Sequence, residues 1–179
     1  LDYVHSQIGQ DIRIASVGIF TNPHHEAHNV AWHRDDGIDH TKSEEEELAY
    51  LRQPRGELRW ELALVDDHCL EIVPGSHLRY RTEHEHDVMK NNKDESLGTT
   101  IHFKAGQTVF WDMNTIHRAC HRPDVERLSV VSAFILHKEQ DVAEKRDIGR
   151  FKHMLSPGVR ESLPESLHLY YDRWRSLHE

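Results

Sequence analysis

Short segments rich in β-branched and aromatic residues recur between residues 12 and 137, separated by turns that contain Gly, Pro, Asn or Asp. This pattern is typical of antiparallel β-sandwiches and barrels, in which strands are brief and the chain reverses often. We predict strands at 12–20, 29–35, 57–65, 69–73, 99–103, 107–111, 114–119 and 127–137. Few other stretches have helical periodicity, so the fold is predicted to be mainly β.

The helices are predicted at the periphery of this β fold. Ser43 and Glu46 have the spacing of a capping box at the start of a short surface helix within 41–53. The glutamates at 44–47 could form a cation site, but a solvated first helical turn is the favoured interpretation. Helical patterns return at 141–145 and 162–177, whereas 81–96 is predicted to be a polar, mobile stretch.

Length and charge limit the class of protein. The 179 residues suffice for a single domain over 1–179, with a core at about 11–138 and a helical C-terminal segment at about 140–179. The chain begins at Leu1, so we expect that an N-terminal part is missing. A net charge of −9 disfavours nucleic acid as a partner, and no apolar run approaches the ~20 residues of a membrane span. Cys69 and Cys120 form no disulfide or zinc pattern, so a cytoplasmic protein acting on a small molecule is expected.

A possible metal site begins with His33 and Asp35. Residues two apart in a strand place their side chains on one face, so both can reach one metal ion. His117 is the best candidate for a third ligand, since two histidines and one carboxylate make the facial triad of non-heme Fe(II) oxygenases. Arg127 opens the longest strand and suits a carboxylate-bearing co-substrate. The alternatives are an ordinary polar strand pair and an Arg127 that neutralises an acid at 124–126.

These residues belong to a series of motifs that follow one another in a specific order. The motifs are Trp32-His33-Arg34-Asp35, Leu58–Leu64, Leu70–His77 with its Pro74-Gly75-Ser76-His77 turn, Gly106–Trp111, His117 and Arg127–Val131. Over about residues 31–136, the series resembles the phytanoyl-CoA dioxygenase family of Fe(II)- and 2-oxoglutarate-dependent oxygenases. The resemblance implies a double-stranded β-helix core, a cupin-like jelly roll, with a few peripheral helices.

The resemblance also implies a reaction. His33, Asp35 and His117 would hold Fe(II), and with 2-oxoglutarate and O2 the site would hydroxylate a C–H bond of a small organic substrate. Succinate and CO2 would be the other products. Asp35 favours hydroxylation, because halogenating relatives carry a small residue at that position.

The co-substrate site is implied by the same resemblance. Arg127 would pair with the distal carboxylate of 2-oxoglutarate. Trp60 matches a tryptophan that packs near the co-substrate in some members, or it is a core residue. Ser129 shares a strand face with Arg127 and either binds the same carboxylate or is an ordinary strand serine. Many relatives have a serine where this chain has Ala119, so we expect weaker co-substrate binding unless Ser129 compensates.

Two other functions stay open from the sequence. A zinc-dependent hydrolase also uses two histidines and a carboxylate, and a non-catalytic jelly-roll binding module would keep the fold without turnover. Arg34, Arg118 and Arg122 could steer an anionic substrate, although surface arginines are the simpler interpretation. The histidine-rich tract at 24–28 is interpreted as turn histidines.

Overall fold

The computed structural model describes residues 1–22, 26–35, 41–138, 141 and 151–178, with the backbone alone for Ser16 and His28. The strands are β1 (Ile12–Thr21), β2 (His28–Asn29), β3 (Glu57–Ala63), β4 (Leu70–Ile72), β5 (Thr99–Thr100), β6 (Thr108–Trp111), β7 (His117–His121) and β8 (Leu128–Leu136). The helices are α1 (Asp2–Ile8), α2 (Glu44–Leu51), α3 (Glu83–Lys90), α4 (Val159–Ser162) and α5 (Glu165–Ser176), with 3-10 turns at Ser76–Leu78 and Lys152–Leu155. Among the described helices, none combines the length and apolar character that crossing a membrane requires.

The strands of the described residues form two sheets of four. Their orders are β1-β8-β3-β6 and β2-β7-β4-β5, so successive strands mostly alternate between the two sheets. Strand β7 pairs antiparallel with both β2 and β4, and β4 pairs antiparallel with β5. This arrangement is that of an eight-stranded jelly roll. The predicted mainly β, double-stranded β-helix fold with a few helices is confirmed.

Tertiary contacts divide the chain into two compact units. The first comprises Leu1–Gly18, Arg55–Arg59 and Val131–Glu179, and the second comprises Ile19–Pro54 and Trp60–Val130. Within the first unit the aromatic residues of α5 are buried, with Trp174 only 1% exposed. The single domain over 1–179 stays a prediction.

The second unit has its own apolar core, formed by Trp32, Val73, Val88, Met89 and Ile116. Two of these residues directly precede predicted metal ligands in the sequence, since Trp32 is followed by His33 and Ile116 by His117. Burial of each apolar neighbour therefore holds a ligand-bearing segment against the same core.

Capping residues define helices α2 and α3. The Ser43 hydroxyl accepts a hydrogen bond from Glu46 N, and the Glu46 carboxylate accepts one from Ser43 N, which confirms the predicted capping box. Thr82 and Glu85 make the same reciprocal pair at the start of α3. The interpretation of 81–96 as a mobile stretch is therefore wrong, although the Thr-x-x-Glu spacing was present in the sequence.

Several predicted element boundaries differ from the structure. The strand predicted at 29–35 is confined to β2, followed by an isolated bridge between His33 and His117. The strand predicted at 114–119 is β7, displaced toward the C terminus. Of the helix predicted at 141–145 only Asp141 is described, and within the tract at 24–28 both His24 and His25 lie outside the described residues.

Candidate metal centre

A shift in strand register brings His33 opposite His117. Asn29 of β2 pairs with Cys120 of β7, whereas His33 pairs with His117, so one extra residue lies on the β2 side between the two pairs. Without that extra residue, Trp32 would face His117. Because such bulges turn the following side chain to the opposite face, the shift directs His33 toward His117 and leaves Trp32 in the core.

Both histidines are oriented by backbone carbonyl groups. His33 Nδ1 lies 2.7 Å from Ala31 O, and His117 Nδ1 lies 2.8 Å from Thr115 O. A carbonyl oxygen can only accept a hydrogen bond, so each Nδ1 carries a proton, and in the neutral ring the lone pair is then on Nε2. This is the arrangement in which a histidine binds a metal through Nε2.

The three predicted ligands converge on one point. His33 Nε2 lies 3.6 Å from Asp35 Oδ1, and His117 Nε2 lies 3.6 Å from Asp35 Oδ2. One donor atom from each residue lies within 4.8 Å of the other two. Donors at about 2.1 Å from a shared ion would be about 3.0–3.6 Å apart for bond angles between roughly 90° and 118°. The two histidine–carboxylate separations of 3.6 Å lie at the upper end of the range for a single divalent ion.

The centre is open on one side and covered on the other. The side chain of His33 is 38% exposed, whereas that of His117 is 8% exposed. The Trp111 ring packs edge-on against the His117 ring, with 5.8 Å between their centroids. Neutral imidazoles, one carboxylate and an exposed side suit an ion that also binds small molecules.

Arg127 is buried within a cluster of acidic side chains. Its Nη2 donates to Glu61 Oε1 at 2.7 Å, and its Nε donates to Asp67 Oδ2 at 3.0 Å. All three side chains are at most 1% exposed. Arg127 therefore pairs with one carboxylate on β3 and one on the segment after it. The alternative considered from the sequence, in which Arg127 neutralises Glu126 or Asp124, is wrong.

The two carboxylates of this cluster differ in pKa. Burial raises the pKa of Glu61, and the charge of Arg127 offsets this only in part while Asp67 adds to it. Burial opposes ionisation of Asp67 as well, but hydrogen bonds from Cys69 N and Ser129 Oγ, together with the Arg127 charge, lower the pKa of Asp67. Glu61 is thus the member of the cluster that takes up a proton most readily.

Strand β7 connects the metal centre with this cluster. Side chains of His117, Ala119 and His121 share one face by strand alternation. Arg127 Nη1 lies 3.4 Å from His121 Nδ1, at the far end of that face. On this face of β7, the methyl group of Ala119 is the only side chain between the two histidines.

Of the remaining predicted co-substrate residues, Ser129 belongs to this cluster, whereas Trp60 lies on the opposite face of β3. Ser129 is fully buried and donates to Asp67 Oδ2 at 2.7 Å, so it supports the acidic partner of Arg127. Trp60 directly precedes Glu61 in β3, so strand alternation places its side chain on the opposite face from the Glu61 carboxylate, which binds Arg127. Roles for Ser129 and Trp60 in binding the co-substrate stay predictions.

The three other arginines divide into buried and exposed residues. Arg34 is 4% exposed and Arg118 is 5% exposed, so their interpretation as surface arginines is wrong. Arg118 pairs with Glu71 at 2.7 Å and with Asp94 at 2.9 Å. Arg122 is exposed, as the simpler interpretation had it.

Sequence reasoning also missed Glu47. Its carboxylate is completely buried and accepts from Arg34 Nη2 at 3.1 Å and from Arg81 Nη1. The interpretation of 44–47 as a solvated turn therefore fails at its last residue. The sequence signal was helical periodicity, because Glu47, Leu48 and Leu51 lie toward one side of α2.

The fold and the three convergent donors define a jelly-roll protein with a candidate facial two-histidine, one-carboxylate metal centre. The chain belongs to the phytanoyl-CoA dioxygenase (PhyH) family, whose model matches residues 3–121. No curated protein matches the chain.

Solved structures with the same fold include EvdMO1, at 20% identity and a TM-score of 0.53 over 75% of this chain and 30% of that chain. The non-heme monooxygenase ThoJ, in complex with Ni, is 22% identical with a TM-score of 0.51 over 75% of this chain and 49% of its own. Its apo form is 20% identical with a TM-score of 0.53. The chain thus spans half or less of the length of these proteins.

Proposed function

We propose that the chain carries the catalytic centre of an Fe(II)- and 2-oxoglutarate-dependent oxygenase that hydroxylates a C–H bond of a small organic substrate. The observation that carries the proposal is the convergence of His33 Nε2, His117 Nε2 and the Asp35 carboxylate, with donor separations of 3.6 Å. Membership of the PhyH family supports the same class of enzyme. The cytoplasmic location expected from the sequence stays part of this proposal.

The donor set fits iron. His33, Asp35 and His117 would hold Fe(II) with two neutral imidazoles and one carboxylate, the ligand set of the facial triad in non-heme Fe(II) oxygenases. When bound, Fe(II) supplies the redox chemistry that couples decarboxylation of 2-oxoglutarate, giving succinate and CO2, to hydroxylation of the substrate. The contribution of the protein is to place the donors and to orient what binds beside them.

Each part of the site has a defined task in this proposal. Ala31 O and Thr115 O fix the tautomers of His33 and His117, so that Nε2 of each ring is available to the ion. Arg127 offers its guanidinium to the distal carboxylate of 2-oxoglutarate. The small side chain of Ala119 leaves room along this face of β7 for the carbon chain of 2-oxoglutarate, between the metal centre and Arg127.

The proposal is tested by anaerobic Fe(II) and 2-oxoglutarate titrations, followed by measurement of succinate formed on addition of O2. His117→Ala should abolish both metal binding and 2-oxoglutarate decarboxylation, whereas His102→Ala, a matched change at an exposed histidine outside the centre, should leave both unchanged. Stoichiometric zinc with hydrolytic turnover would instead identify a hydrolase. Binding of 2-oxoglutarate without any succinate, across a broad substrate screen, would identify a binding module.

A further inference from the structure

Arg34 separates the two ligands His33 and Asp35 in the sequence, but its side chain lies on the opposite side of the backbone. The Arg34 side chain is 1% exposed, against 38% for His33 and 15% for Asp35. This is the alternation expected of an extended segment. The Arg34 side chain therefore points away from the donor atoms of His33 and Asp35 and is not a ligand candidate.

The guanidinium of Arg34 joins four separate places in the second unit. Its Nη1 donates to Ser76 O at 3.0 Å and to Asn114 O, and its Nη2 donates to Glu47 Oε1 at 3.1 Å and to Arg79 O at 3.2 Å. Asn114 belongs to the loop that leads into His117. One side chain thus fixes the segment with two ligands to the loop that carries the third.

The Pro74-Gly75-Ser76-His77 turn completes this connection. Ser76 is fully buried, and its Oγ accepts a hydrogen bond from Ile116 N at 2.8 Å while its carbonyl accepts from Arg34. Gly75 has a φ of 77°, a conformation that favours glycine and lets the turn present both oxygens. The turn therefore supports the residue directly before His117.

Backbone hydrogen bonds also cross this junction. Asp35 N donates to Met113 O at 3.0 Å, and His33 and His117 exchange backbone hydrogen bonds of 3.1 and 3.0 Å. A rigid, planar guanidinium with five donors is suited to fixing several carbonyl groups at set angles.

We propose that Arg34 is a positioning residue for the metal centre, whose side chain holds the His33–Asp35 segment and the 112–117 loop at the separation that metal binding requires. This inference rests on the proposed function, because it assumes that the three donors bind an ion. Groups that orient metal ligands typically change metal affinity by about 10–100-fold when removed.

Arg81 provides a matched control. It is 2% exposed and donates to the same Glu47 carboxylate, and its described partners also include Lys42 O and His86 Nδ1, which lie outside the His33–Asp35 segment and the 112–117 loop. Either Arg34→Met or Arg81→Met leaves Glu47 with one arginine, so neither variant creates an unpaired buried carboxylate. Arg34→Met, unlike Arg81→Met, removes the hydrogen bonds to Ser76 O and Asn114 O beside the loop that carries His117.

The experiment compares Ni(II) and Co(II) affinity by calorimetry with thermal unfolding of the metal-free full chain. Arg34→Met should weaken metal binding by about 10-fold or more and alter the ligand-field spectrum of bound Co(II). Arg81→Met should lower Tm to a similar extent while its metal affinity stays within about twofold of the wild type. Arg34→Lys keeps the charge but not the planar donors, so it should recover stability and still bind metal weakly.

Equal metal affinities and identical Co(II) spectra in the folded Arg34 and Arg81 variants would overturn the positioning role while leaving the metal centre intact. The same conclusion follows if Arg34→Lys binds metal as tightly as the wild type. A wild-type chain that binds neither ion would refute the proposed function, and the positioning role with it. If Arg34→Met does not fold, the comparison is made with Arg34→Lys and Arg81→Lys.

Discussion

Replacing Glu61 by glutamine tests how the acidic cluster around Arg127 admits a co-substrate. Arg127 already has two carboxylate partners, Glu61 at 2.7 Å and Asp67 at 3.0 Å, within a buried region. Binding the distal carboxylate of 2-oxoglutarate would bring a third anion to one guanidinium. Protonation of Glu61, the carboxyl group whose pKa is raised by burial, would remove one of the three negative charges.

The magnitude follows from Coulomb's law. Two carboxylates about 5 Å apart at an effective dielectric constant of about 20 repel by roughly 3 kcal/mol, or about a 100-fold change in Kd. If Glu61 must be neutral in the complex, 2-oxoglutarate binding takes up a proton. Affinity should then fall by up to about tenfold per pH unit above the pKa of Glu61 and be constant below it.

Calorimetry of 2-oxoglutarate binding to the Mn(II)-loaded protein, between about pH 6 and 8, measures this linkage. Buffers with different ionisation enthalpies count the protons taken up. Glu61→Gln should bind with a pH-independent Kd and exceed the wild-type affinity most at high pH. Glu71→Gln, which removes a comparable partner from Arg118, should keep the wild-type pH profile. A wild-type Kd that is independent of pH, with no proton uptake, would refute the reasoning.

Three further predictions concern stability and the co-substrate site. Gly98→Ala should lower Tm strongly, because its Cβ would lie 1.9 Å from Ile72 O, whereas Gly56→Ala should have little effect, since nothing lies within 4 Å of its Cβ. Ser43→Ala should reduce the free energy of unfolding by about 0.5–2 kcal/mol in urea denaturation, through loss of the capping box of α2. Ser129→Ala should cost about 1–3 kcal/mol, because Asp67 loses a buried hydrogen bond. It should also weaken 2-oxoglutarate binding, because Asp67, a partner of Arg127, keeps fewer of the hydrogen bonds that orient it.

These predictions have clear contrary outcomes. Equal Tm values for Gly98→Ala and Gly56→Ala would show that β4 moves to accept a methyl group. An unchanged unfolding free energy for Ser43→Ala would mean that water replaces the cap. A Ser129→Ala variant with lower stability but wild-type 2-oxoglutarate affinity would separate Asp67 from co-substrate binding.

The sequence by itself determined the features that depend on local periodicity and on residue chemistry. Alternation of apolar residues and the spacing of turns gave the mainly β fold, because strand pattern and turn chemistry are local properties. The choice of His33, Asp35 and His117 as candidate ligands came from ligand chemistry and from the motif order that resembles the family, and the structure brings their donor atoms together. The Ser43–Glu46 capping box was predictable for the same local reason, and Thr82–Glu85 could have been.

Only the tertiary structure decided which charged residues are buried and with what partners. Glu47 belongs to a run of four glutamates, yet it alone among them is buried, because it meets Arg34 and Arg81 from distant parts of the chain. The pairing of Arg127 with Glu61 and Asp67 likewise could not be predicted from local sequence patterns. Nor did the sequence reveal the register shift that turns His33 rather than Trp32 toward His117. Such outcomes depend on contacts between remote segments and on the free energy of burying charge, which no single stretch of sequence contains.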